Sequence, residues 1–289
     1  MDKQALISVI SQSGGRHHAI KEADAFLVRL ECLQRTGRYG ALLSQLAKAN
    51  DKNNFLALVL EINFAYQFES CGFTLRYEIL QDAQHGSSID FLWEAPNSDS
   101  VFFEMRLLQQ MQSITYTIKS QLQKCGMYRV ARFWQGERDE VIRIQRTILS
   151  KVQDKNGNPV KFFSTASDVV NIVVIDATDN ILGAIDVHDC RLATYGDPGV
   201  QKVYRRQVFG LFQEDMPEYP QHIRDLAAKY AHIRKTLHGV LFLFKKPNTG
   251  ILAYQLGQYL IWNQPLMNKA RARIVCDDIS RAIPFRNQS

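Results

Sequence analysis

Residues 88–108 read SIDFLWEAPNSDSVFFEMRLL, and this stretch decides the fold. Side chains along a strand alternate between two faces. Ile89, Phe91 and Trp93 therefore share one face of a strand, and Asp90 points to the other. A turn cluster follows, Pro96-Asn-Ser-Asp-Ser100. Beyond it Val101, Phe103, Met105 and Leu107 share a face, while Glu104 and Arg106 point away. Asp90, Glu104 and Arg106 are thus polar residues interrupting two strongly apolar strands. A turn centred on Asn97 sets Asp90 opposite Glu104. Facing side chains have Cβ atoms about 5 Å apart, where like charges repel, and a divalent cation turns that repulsion into a ligand pair. A turn centred on Ser98 sets Asp90 opposite Arg106 instead, which makes a plain cross-strand salt bridge.

Upstream, Phe73–Leu80 also alternates and reads as a strand, joined by the polar loop Gln81–Ser88. Three strands with such short connections predict an antiparallel meander. Before them, residues 20–50 carry two helices broken at Gly37-Arg-Tyr-Gly40. A third helix, with Asn53 or Asn54 as its N-cap, runs through Phe55, Leu58, Val59, Ile62, Ala65 and Tyr66 and stops at Gly72. Downstream, residues 109–136 show no clear period. Glu137–Val152 predicts a helix with Val141, Ile144, Ile148 and Val152 on one face, and Tyr219–Leu237 predicts another. Val169–Ile175 and Gly239–Phe244 are apolar runs rich in β-branched and aromatic residues, expected as buried strands. The expected fold is α/β, a mixed central sheet flanked by helices. Residues 1–52 are expected as a helical N-terminal extension and residues 53–289 as the main domain.

Composition sets the class. The chain has 289 residues, 46% of them apolar and 22% charged, with net charge +6, which excludes disordered, collagen-like and coiled-coil chains. No apolar run reaches the roughly 18 residues of a membrane span, and the first residues do not read as a signal peptide. The five cysteines are scattered without a CxxC pair, so a zinc ribbon or disulfide framework is not expected and a cytoplasmic protein with reduced thiols is. Phosphate-loop and GxSxG motifs are absent, and His188-Asp189 reads as a loop pair.

The order helix, three strands, helix, strand, with an acid on strand two and Glu-x-basic on strand three, resembles the PD-(D/E)XK, or restriction-endonuclease-like, superfamily. The residues that carry the likeness are Ser88-Ile-Asp90, then Glu104-Met-Arg106, with Glu61 on the preceding helix; it spans roughly residues 53–175. The stretches NIVVIDATD, RRQVFGLF and HGVLFLF also look like the C-terminal part of members of that group. The resemblance implies an αβββαβ core and a nuclease acting on DNA. It implies that Asp90 and Glu104 bind Mg²⁺ or Mn²⁺ with Glu61 as an auxiliary ligand, and that Arg106 stands at the usual lysine position. Asp90, Glu104 and Arg106 would then be the catalytic residues, in metal-assisted attack of water on a phosphodiester. A guanidinium stays protonated and cannot act as a base, though it can stabilise phosphate charge; Lys119 is a substitute donor. The basic residues Arg138, Arg143, Arg146, Arg205 and Arg206 are the nucleic-acid-binding candidates, with neighbouring aromatics to stack on bases. The rival expectation is a degenerate member that binds nucleic acid or a protein partner and cuts nothing; a homodimer or a protein partner is a further expectation in either case.

Overall fold

The alternating stretches do form strands, and they assemble into one mixed sheet. The computed structural model describes residues 3–12, 18–82, 87–96, 99–108, 120–121, 123–124, 134–162, 166–177, 185–196, 208–246 and 249–285. Its strands are β1 (Leu75–Asp82), β2 (Ser87–Glu94), β3 (Ser100–Leu107), β4 (Val169–Asp176), β5 (Gly239–Lys245) and β6 (Leu256–Trp262). They lie in the order β1-β2-β3-β4-β5-β6. The pairs β1–β2, β2–β3 and β5–β6 are antiparallel, and β3–β4 and β4–β5 are parallel. The expected meander is therefore present. The chain divides into two compact units: Met1–Leu107, Lys161–Asp176 and Thr236–Ser289 form the first, and Leu108–Val160 with Ala177–Lys235 the second.

In the first unit the helices are α1 (Lys3–Gln12), α2 (Ala19–Arg35), α3 (Gly40–Lys48) and α4 (Lys52–Ser70). Helix α4 is the hub. It buries Phe55, Leu58, Val59, Ile62, Phe64, Ala65 and Phe68, more than one stripe, because other elements contact it on several sides. Phe64 meets Phe91 and Phe103 at 5.4 and 5.3 Å between ring centroids, and Phe68 meets Trp93 at 5.7 Å. Leu6, Phe26, Leu42 and Leu46 of α1, α2 and α3 are buried in this same core, so the N-terminal helices share the core of the sheet. The cap of α4 is Asp51, whose carboxylate accepts the Asn54 N–H at 2.8 Å, rather than Asn53 or Asn54. Gly72 ends the run at φ +80°, a conformation that favours glycine.

The faces of the sheet follow from alternation. Phe91, Phe103, Val170, Ile172, Val174, Leu241 and Leu243 enter the core with α4. Leu92, Val173, Ile175, Val240 and Phe242 point to the other face and are buried too. Strand β6 is not legible as an alternating apolar run, since Gly257 and Gln258 interrupt it. Its outer edge is covered at Gln258, which bridges Phe285 and donates its N–H to the Pro284 carbonyl at 2.9 Å. Helix α9 (Lys269–Ala282) is tied to the β2–β3 connection by Arg271, which gives two N–H bonds, at 2.9 and 3.1 Å, to the Asp99 carboxylate.

The second unit is helical among its described residues. It contains α5 (Trp134–Val152), α6 (Val187–Tyr195), α7 (Gln221–Lys229) and α8 (Ala231–Thr236). The predicted apolar face of α5, Val141, Ile144, Ile148 and Val152, is buried. The helix expected over Tyr219–Leu237 is broken at Tyr230 into α7 and α8. His188-Asp189 is not a loop pair. It lies in the first turn of α6, where Asp186 and Asp189 form a reciprocal capping box. Among the described residues no helix is long and apolar enough to cross a membrane.

Candidate functional site on the second and third strands

The register of the hairpin selects between the two turn centres. Phe91 pairs with Phe103, Leu92 with Phe102, Trp93 with Val101 and Glu94 with Ser100. This is the register of a turn centred on Asn97, and continued by one step it brings Asp90 to the position across from Glu104. The ladder stops at Phe91–Phe103, and the Asp90 carboxylate takes the next β3 amide, accepting the Met105 N–H at 2.6 Å. The Asp90 carboxylate is thus tied to the backbone of the neighbouring strand.

Glu104 lies in the middle of β3 and is fully buried, 0% exposed. An ionised carboxylate leaves water at a cost of several kcal/mol unless a cation accompanies it. One such cation is Lys161, whose Nζ lies 3.4 Å from Glu104 Oε2 and which keeps 17% exposure. The same ammonium donates to the carbonyl of Ser88, one of the motif residues on β2. Lys161 belongs to the segment leading into β4, within the same compact unit as the hairpin. No spacing rule points to it, because it lies 57 residues from Glu104 in a stretch, Val160-Lys-Phe-Phe163, with no motif of its own. Sequence reasoning names Lys119 instead, which lies outside the described residues. Arg106 follows Glu104 on the same face of β3 and is exposed.

Glu61, on α4, accepts the Tyr77 hydroxyl at 3.0 Å. The Tyr77 pKa is pushed far above the ordinary tyrosine range, first by burial and then by the charge of Glu61, with Glu78 and Asp90 adding. By register Glu78 is the β1 position across from Asp90, which would extend the row to a third carboxylate. Its backbone is turned to φ +51°, and its carboxylate accepts from Gln45 of α3 at 2.8 Å. Among the described residues no three His, Cys, Asp or Glu side chains stand together as a metal-holding group.

The basic candidates belong to the second unit. Arg143 pairs with the buried Glu140 on its own helix, whereas Arg146 is exposed. The Arg138 side chain, Arg205 and Arg206 lie outside the described residues. Comparison with protein-family models, curated proteins and solved structures returns no match.

Proposed function

We propose that this chain is a metal-dependent phosphodiester hydrolase acting on DNA. One observation carries the reading: the hairpin register, continued one step, puts Asp90 across from Glu104, and an ammonium rests against the Glu104 carboxylate and the Ser88 carbonyl. A spot that holds an ammonium between a buried carboxylate and a carbonyl attracts cations. Its donors are hard oxygens, the kind that Mg²⁺ and Mn²⁺ take, so the residues present fit such an ion. When bound, the ion supplies charge for the phosphate and acidifies water. Asp90 and Glu104 would hold it. Met105 and Lys161 fix those two carboxylates in place, which is the preorganisation that catalysis requires. In the net reaction a water oxygen bonds to phosphorus and the bond to the leaving sugar oxygen breaks. One water proton goes to solvent, and the alkoxide recovers one from solvent. The likeness of these acids to the PD-(D/E)XK pattern supports the same chemistry. The +6 net charge supports a polyanionic substrate.

The test is cleavage of linear, supercoiled and single-stranded DNA with Mn²⁺. Wild type should cut at least one of the three, EDTA should stop it, and Asp90→Asn should lower the rate by about 100-fold, the scale of a lost preorganised electrostatic contact. Equal rates for wild type and Asp90→Asn would leave the carboxylate pair without a catalytic part.

A further inference from the structure

We propose that Lys161, and not Arg106, is the residue that presents positive charge to the substrate phosphate; the proposal rests on the phosphodiesterase reading above. The geometry points to it on two counts. Lys161 Nζ is held between β2 and β3 by the Ser88 carbonyl and lies 3.4 Å from Glu104, with 17% of the side chain still open to water. It is therefore inside the site, with part of its side chain still open to solvent. Arg106 is exposed, beyond Glu104 on β3, where water screens its charge. The role of Lys161 is electrostatic. As the water oxygen bonds to phosphorus and the leaving oxygen departs, the ammonium offsets charge on the non-bridging oxygens and transfers no proton.

This role has a signature that a purely structural lysine lacks. An ammonium beside Glu104 repels a dication drawn to the same carboxylates. Its removal should tighten metal binding while slowing cleavage, whereas loss of a mere prop loosens both. The experiment measures Mn²⁺ affinity, with Mn²⁺ alone as the probe, and Mn²⁺-dependent DNA cleavage. It compares wild type, Lys161→Met, Arg106→Met and Lys161→Cys alkylated with 2-bromoethylamine to rebuild the amine, with alkylated wild type as control. In Lys161→Met, Mn²⁺ affinity should rise at least about fivefold while kcat falls at least about 30-fold. The alkylated Lys161→Cys protein should return to within about threefold of alkylated wild type, and Arg106→Met should stay within about threefold of wild type, as a solvent-screened charge requires. Should Lys161→Met not fold, Lys161→Arg carries the test: it keeps the charge, so its rate should stay within about tenfold of wild type, and a background rate overturns the proposal. An active wild type with a crippled Arg106→Met and an intact Lys161→Met overturns the proposal and leaves the phosphodiesterase reading standing. So does Lys161→Met that loses affinity and rate together with no recovery on alkylation. A wild type inert on every DNA overturns both.

Discussion

Glu104→Gln should lose Mn²⁺-dependent DNA cleavage by at least about 100-fold, the scale set by removal of a preorganised charged group from an active site. It should also lower stability, for a separate reason. Glu104 is wholly buried and Lys161 mostly so. Taking one charge from a buried pair strands the other, at a cost of about 3 kcal/mol at the low end of the usual range. The low end applies because Lys161 retains some access to water. The double variant Glu104→Gln with Lys161→Met removes both charges. It should recover most of that stability while staying inactive, since replacing a buried pair by neutral groups is often close to neutral. Urea unfolding and a single-turnover cleavage assay check the two halves. A Glu104→Gln protein that cuts at the wild-type rate contradicts the site assignment. One that loses activity but no stability contradicts the ion-pair account of Glu104 alone.

Stability should fall as pH drops from 6.5 towards 4, and His238 should be a main cause. His238 is buried immediately before β5, and its Nδ1 accepts the Asn171 N–H at 3.1 Å. That bond needs a neutral ring, because a protonated Nδ1 has no lone pair to offer. Burial, and then the Arg271 guanidinium, push the pKa down to about 4 from the ordinary 6.5, against the opposing pull of Asp99 and the backbone bond at Thr236. The unfolded chain takes up this proton below pH 6.5, and the folded chain does so only near pH 4. The contribution is complete above pH 6.5 and is lost progressively on acidification, to a total of about 3 kcal/mol. His238→Gln keeps an acceptor for the Asn171 amide but does not titrate, so its stability should change less over the same interval. Urea unfolding at pH 7.5, 6, 5 and 4.5 measures the two slopes, and equal slopes would remove His238 from the account.

The hairpin was legible because its polar residues interrupt apolar strands at fixed alternation. Asp90 and Glu104 fall across from each other only in the register centred on Asn97, and that is the register found. The buried strands β4 and β5 were legible for a similar reason, as apolar runs too short for a helix. Strand β6 was not, because Gly257 and Gln258 erase its alternation and it gains its place by pairing along β5. Helix α6 was missed because its start is carried by a capping box, and Asp186 and Asp189 three residues apart resemble loop chemistry as readily as a cap. Lys161 shows the sharper limit. Alternation and motif spacing describe neighbours along the chain or across a hairpin. A lysine delivered from the approach to a strand that pairs with β3 from the other side leaves no periodic trace. It becomes visible only when the parallel β3–β4 pairing brings that approach beside Ser88 and Glu104.

The central claim is that Asp90 and Glu104 together hold a divalent cation, and calorimetric titration of Mn²⁺ into the metal-free protein tests it most directly. The account predicts one saturable site in wild type that disappears in the Asp90→Asn, Glu104→Gln double variant while the fold persists by circular dichroism. Identical titration curves for wild type and the folded double variant, or no heat of binding in wild type at millimolar Mn²⁺, would contradict it.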